Sequence, residues 1–193
     1  ELTGYTRDAL QRLAAQYPGY YKHFIDIIPK YGHAIPYQYT TPYLSQHVRT
    51  PQPKHVNWED YPMDGIYRKG CYNLVPLVRP HDGPIYYQED IIGNTVDLKI
   101  NTVIYVGKKV SDWYTSFHFV LLYDKSYVPV KKGKLRVYLS PELLDLSKPV
   151  RVLVNGQQVY SGMVKADWSH LVESCSLFFD PERLFPAAID IAY

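Results

Sequence analysis

Apolar positions recur at helical spacing only in the first part of this chain. Over residues 6–16, Leu10, Leu13 and Ala14 fall on one face behind a capping Thr6 and an early Asp8, which predicts a short amphipathic helix. Tyr17-Pro18-Gly19 ends it, and the β-branched and aromatic run at 21–28 reads as a strand stopped by Pro29. A loop, Lys30-Tyr31-Gly32-His33, follows. Pro42 then suits the first turn of a second helix over 41–48, and Arg49-Thr50-Pro51-Gln52-Pro53 punctuates the chain as a boundary.

Beyond that boundary the period shortens to two. Strands are predicted at 55–58, 71–78, 84–90, 95–101, 117–123, 134–139, 150–154, 157–164, 176–179 and 188–192. Val154-Asn155-Gly156-Gln157 is the strongest local signal, because Asn-Gly accepts the positive φ angles of a type I′ hairpin turn. Gly93-Asn94 predicts another turn, and Ser140-Pro141-Glu142 a capped helical turn. Many short, closely spaced strands predict a mainly β fold: a C-terminal β-sandwich over 51–193, preceded by a helix-strand-helix piece over 1–50.

Composition narrows the function classes. The 193 residues carry a net charge of +2, with Lys and Arg scattered, so the basic stripe needed to follow a phosphate backbone is missing and nucleic acid is not an expected partner. No run approaches the roughly 18 apolar residues of a membrane span, and the first residues lack a basic-then-apolar leader pattern. Cys71 and Cys175 have no metal-ligand spacing; buried free thiols are the simpler expectation and a long-range disulfide the alternative. The twenty tyrosines suit either half-buried strand positions or an apolar binding face with polar tips.

His33 follows a strand and a glycine and precedes a helix, which is where an α/β hydrolase places its general base. Pro18-Gly19-Tyr20, Gly32-His33, then Arg49, Pro51, Pro53, Lys54, Val56 and Trp58 resemble the terminal segment of secreted bacterial α/β hydrolases described as esterase-like or prolyl-oligopeptidase-like. That family carries "P-x-G-Y", "G-x-G-H" and "R-N-P-x-P-K-x-V-x-W" in this order. The stretch YLSPELLDLSKPVRVLVNGQQVYSG is similar to its "L-N-D-x-x-V-D-L-x-K-P-V-x-V-x-V-N-G". Residues 34–36 are Ala-Ile-Pro where the family commonly has Trp-Met-Asp after the histidine, and Thr50 stands in place of its Asn.

The resemblance implies a serine hydrolase remnant over 1–50, an accessory sandwich over 51–193, His33 as the catalytic histidine, no cofactor, and a periplasmic or extracellular location. It also implies a missing partner. No G-x-S-x-G elbow occurs in the sequence, and in this fold serine and acid precede the histidine, so the expected nucleophile lies in an N-terminal hydrolase portion outside these residues. The start at Glu1 then reads as artificial or proteolytic, or the chain as a degenerate family member. An isolated hydrolase strand at 21–28 needs neighbours, which makes a homodimer through it one expectation.

Three other constellations invite chemistry. Asp60, Asp64, Glu89 and Asp90 offer carboxylate pairs for glycoside cleavage. His33, His47 and His55 invite a metal-site reading but lack ligand spacing, so no metal is expected. Trp58, Trp113 and Trp168, with the 112–116 loop, suggest an aromatic platform, and hence a non-catalytic module that binds a glycan or peptide, or a purely structural or docking domain.

Overall fold

The computed structural model describes residues 2–16, 18, 40–61, 65–66, 69–106, 124–130 and 132–193. The chain divides into two compact units, Glu1–Arg49 and Thr50–Tyr193. The first contains α1 (Leu2–Gln16) and α2 (Thr40–Ser45). Helix α1 begins four residues before Thr6, so Thr6 is not its cap. The strand expected at 21–28 lies outside the described residues.

The second unit is a mainly β, sandwich-like fold. Its strands are β1 (His55–Asp60), β2 (Leu74–Val78), β3 (Ile85–Ile92), β4 (Thr95–Val106), β5 (Asp124–Pro129), β6 (Lys134–Leu139), β7 (Val150–Val154), β8 (Gln157–Gly162) and β9 (Ala187–Ala192), with helix α3 (Trp168–Phe178) before β9. One sheet runs β1-β3-β4-β7-β8, with β5 also paired to β4; the other runs β2-β6-β9. Period-two alternation sends Ile85, Tyr87, Val96, Leu98 and Ile100 from the larger sheet into a common core with Leu74, Leu135, Val137, Ile189 and Ile191 from the smaller one.

Strand β4, 12 residues long, organises the larger sheet. Along one edge it pairs with β3. Along the other, Thr95–Leu98 pair in parallel with Arg151–Val154, and Asn101–Val106 pair antiparallel with Asp124–Pro129. Asn155 fills the gap between those two partners. Its amide donates to Ile100 O at 3.0 Å and its oxygen accepts from Ile100 N at 3.1 Å, continuing the ladder one residue past the end of β7. Asn155 and Gly156, at φ 49° and 81°, also form the predicted β7–β8 turn. Asn155→Gly keeps the turn while removing the bridge to a fully buried residue, so it is expected to cost about 1–3 kcal/mol in urea unfolding. A variant as stable as the parent would show that the bridge contributes nothing.

The segment 176–179, predicted as a strand, is the end of α3 instead. Asp167 caps this helix by accepting from Ser169 N at 2.7 Å, and Phe179, at φ 50°, closes it. Its inner side packs Phe178 edge-on to Tyr138 and Phe185, with ring centroids 6.0 Å away in both cases. Arg136 on β6 ties the layers together: its guanidinium donates to Asp190 of β9 at 2.6 and 2.8 Å and to Glu173 of α3 at 2.7 Å. The hydrogen bonds to Asp190 raise its pKa above the ordinary arginine value. Strand β5 was not predicted, and the strand expected at 117–123 lies outside the described residues.

Candidate functional site

His33 lies outside the described residues, as do Asp64, Trp113 and the 112–116 loop. The described residues do define the approach to the sandwich that follows the histidine segment. Gln52 donates to Glu182 O at 3.1 Å and accepts from the Ser140 hydroxyl, while Lys54 O accepts from Ile91 N at 2.8 Å. The Pro51-Gln52-Pro53-Lys54 run is therefore fastened along the sandwich and leads directly into β1. Asn94 fastens the loop on the far side of β4: its side chain donates to Asp145 O at 2.7 Å and accepts from Asp145 N at 3.0 Å.

Among the described residues, Asp60, Glu89 and Asp90 do not form a glycosidase pair. On β3, Glu89 points into the core and Asp90 points to the opposite face, because adjacent strand residues alternate sides. Asp60 is 3% exposed and ion-paired with Arg79, which also donates to Asp60 O at 3.2 Å and Gly83 O at 3.4 Å. Each of these three carboxylates is committed to a different structural neighbour.

Glu89 is fully buried, with Val56 and Leu98 opposite it on the adjoining strands. One oxygen accepts from Asn73 Nδ2 at 2.9 Å, and the Asn73 backbone in turn accepts from Tyr138 N at 2.8 Å, so the contact crosses from one sheet to the other. Glu89 Oε2 and Asn73 Oδ1 have no hydrogen-bond partner among the described residues. Burial is the main reason the Glu89 pKa rises to about 8; the Asn73 hydrogen bond opposes the rise and the Asp90 charge adds to it. Cys71, half-buried nearby, has its thiol pKa raised by burial, with Arg183 lowering it and Glu89 raising it. Cys71 and Cys175 are both free, and Cys175 is exposed rather than buried.

The two described histidines of the expected set, His47 and His55, each have their own partner. His47 Nδ1 lies 2.8 Å from Tyr43 O at the end of α2, whereas His55 on β1 meets Asp90 on β3. Among the described residues, no three His, Cys, Asp or Glu side chains come together to hold a metal ion. Among the described residues, Trp58 and Trp168 form no shared platform: Trp58 stacks on core Tyr87 at 5.1 Å, and Trp168 stands exposed at the start of α3.

A polar cluster that the sequence did not announce lies on the outer face of the larger sheet. The register sets His55 opposite Asp90, Asn57 opposite Gln88 and Glu59 opposite Tyr86. Asp90 contacts His55 Nδ1; His55 Nε2 lies 2.7 Å from Asn57 Nδ2; Asn57 Oδ1 accepts from the Tyr86 hydroxyl at 2.6 Å. Gln88 donates to the second Asp90 oxygen at 2.8 Å, and Lys125 of β5 pairs with Glu59. Burial pushes the Asp90 carboxyl up, but hydrogen bonds from His55 and Gln88 outweigh it and hold the pKa below the ordinary value. The readable signal was polar residues at every second position, His55 and Asn57, then Tyr86, Gln88 and Asp90.

Comparison with protein-family models, curated proteins and solved structures finds no match to this chain. Among the described residues, no helix is long and apolar enough to cross a membrane.

Proposed function

We propose that this chain is the C-terminal part of a secreted serine hydrolase, an esterase or peptidase. In this reading His33 is the general base, and residues 51–193 form an accessory sandwich. The observation that carries it is the junction. The Arg49 to Trp58 segment, which resembles the hydrolase family's entry into its C-terminal domain, begins where the first compact unit ends and runs fastened into β1. The family-like Val154-Asn155-Gly156 stretch supports the same reading, since Asn155 both turns the chain and bridges β4.

The reaction would be acyl transfer to water. His33 would take the proton from a serine hydroxyl as it attacks the carbonyl, return it to the leaving group, and then activate water to release the acyl group. An acid hydrogen-bonded to the other ring nitrogen would fix the tautomer. Serine and acid would come from polypeptide outside these 193 residues, because the sequence carries no G-x-S-x-G elbow. The sandwich would orient the hydrolase or shape access to it, in the periplasm or outside the cell.

The chain alone is therefore expected not to hydrolyse p-nitrophenyl esters above the uncatalysed rate. Turnover that persists through purification and disappears in His33→Ala would overturn this reading.

A further inference from the structure

We propose that the outer face of the larger sheet, across β1, β3, β4 and β5, binds a neutral oligosaccharide. This inference is independent of the hydrolase reading, since none of the residues it uses belongs to the His33 segment.

Four features of the face support it. First, the side chains are held before any ligand arrives. The Asp90–His55–Asn57–Tyr86 chain and the Gln88 contact to Asp90 fix amide, imidazole, carboxylate and phenol groups in one arrangement. A ligand that meets such a face avoids much of the cost of ordering flexible side chains. An ordinary solvated sheet face, built from long lysine and glutamate side chains, lacks this order.

Second, the groups match hydroxyls. Asn and Gln each offer donors and an acceptor on a planar amide, and a carboxylate can accept from two neighbouring hydroxyls. Sugar hydroxyls both donate and accept, so adjacent hydroxyls can bridge such groups directly or through water.

Third, an aromatic pair adjoins the polar chain. Tyr86 and Tyr127 have ring centroids 5.0 Å apart and planes inclined at 50°, and Tyr127 is 47% exposed. The pair presents a bent surface against which the C–H faces of a sugar ring can pack, beside groups that take its hydroxyls.

Fourth, the charges on the face are of both signs. Asp90 and Asp97 stand opposite each other with Lys99 acting on Asp90, and Glu59 is paired with Lys125. Interspersed charges leave no strong positive field to attract a phosphate backbone. The polar face is built from three rows, His55/Asp90, Asn57/Gln88 and Glu59/Tyr86. Two residue steps separate successive rows, so the three span about 13 Å along the strands, which suits a short oligosaccharide better than a single sugar.

The test is titration of the whole chain with cellohexaose, xylohexaose, mannohexaose and a galactan digest, followed by calorimetry and amide chemical shifts. At least one of these sugars is expected to bind. Tyr127→Ala and Asn57→Ala should each weaken that binding about tenfold, equivalent to about 1.4 kcal/mol, with the melting temperature retained. Trp168→Ala, at the exposed aromatic on α3, should leave binding unchanged. The proposal is overturned if none of the sugars binds at millimolar concentration, or if binding survives both face substitutions. Binding lost only in Trp168→Ala would also overturn it. None of these outcomes depends on whether His33 takes part in catalysis.

Discussion

Glu89→Gln is expected to make the sandwich more stable than the parent near pH 8, by about 4 kcal/mol, and to differ by only about 1 kcal/mol near pH 5. In the folded chain the Glu89 pKa rises from 4.5 to about 8, principally through burial. Between those values the folded state holds a proton that the unfolded state has released. Stability from this group is thus present at acid pH and is lost as pH rises through the window, with the loss complete above the folded value. Glutamine has nearly the same shape and needs no proton. Its amide group can also donate to Asn73 Oδ1 while its oxygen accepts from Asn73 Nδ2, which provides for both atoms left without partners. Urea unfolding of parent and variant from about pH 5 to 8 measures the difference directly. The Asp90 carboxylate, the Cys71 thiol and the Arg183 guanidinium are present in both proteins, so much of their own titration cancels in the comparison. Parallel pH profiles would mean that Glu89 does not gain a proton on folding.

Arg79→Ala is expected to cost about 3–5 kcal/mol, because it leaves the Asp60 carboxylate buried without its cationic partner. The change also removes donors to Asp60 O and Gly83 O, at the entry to β3. Replacing both members, Asp60→Leu with Arg79→Met, is expected to recover much of that loss, since an apolar pair of similar bulk needs no charge compensation. The double variant separates the cost of an unpaired charge from the worth of the ion pair. If Arg79→Ala lowers stability by under about 1 kcal/mol, the pair is no more important than an exposed surface bridge.

Where local chemistry decides, the sequence was readable. Strands β6 and β7 have the predicted limits because their alternation is regular, and the Asn155-Gly156 turn follows from the two residues that tolerate positive φ. Helix α3 was not readable from its end. Ser174-Cys175-Ser176 has little helical preference, and Leu177-Phe178-Phe179 looks like a strand until the Asp167 cap and the packing of Phe178 on Tyr138 and Phe185 are known. Tertiary burial outweighs propensity there.

The polar face was hidden for a different reason. His55 and Asp90 are 35 positions apart, and only the β1–β3 register brings them opposite each other. The same register sends Glu89 inward, so the adjacent acids Glu89 and Asp90 have unrelated environments. No pattern along the sequence identifies Asn73 as the residue reaching Glu89, because that contact crosses between sheets. His33 is the reverse case: its motif was legible, and its geometry lies outside the described residues.

The most direct test of the hydrolase account is to express the polypeptide encoded in frame ahead of Glu1 together with this chain and treat the product with a fluorophosphonate probe. The account predicts covalent labelling of one serine in the preceding polypeptide and hydrolysis of acyl esters. It also predicts that His33→Gln lowers kcat/KM by at least about a thousandfold while the protein unfolds at the same temperature. Absence of serine labelling, or turnover that is indifferent to His33→Gln, would contradict it.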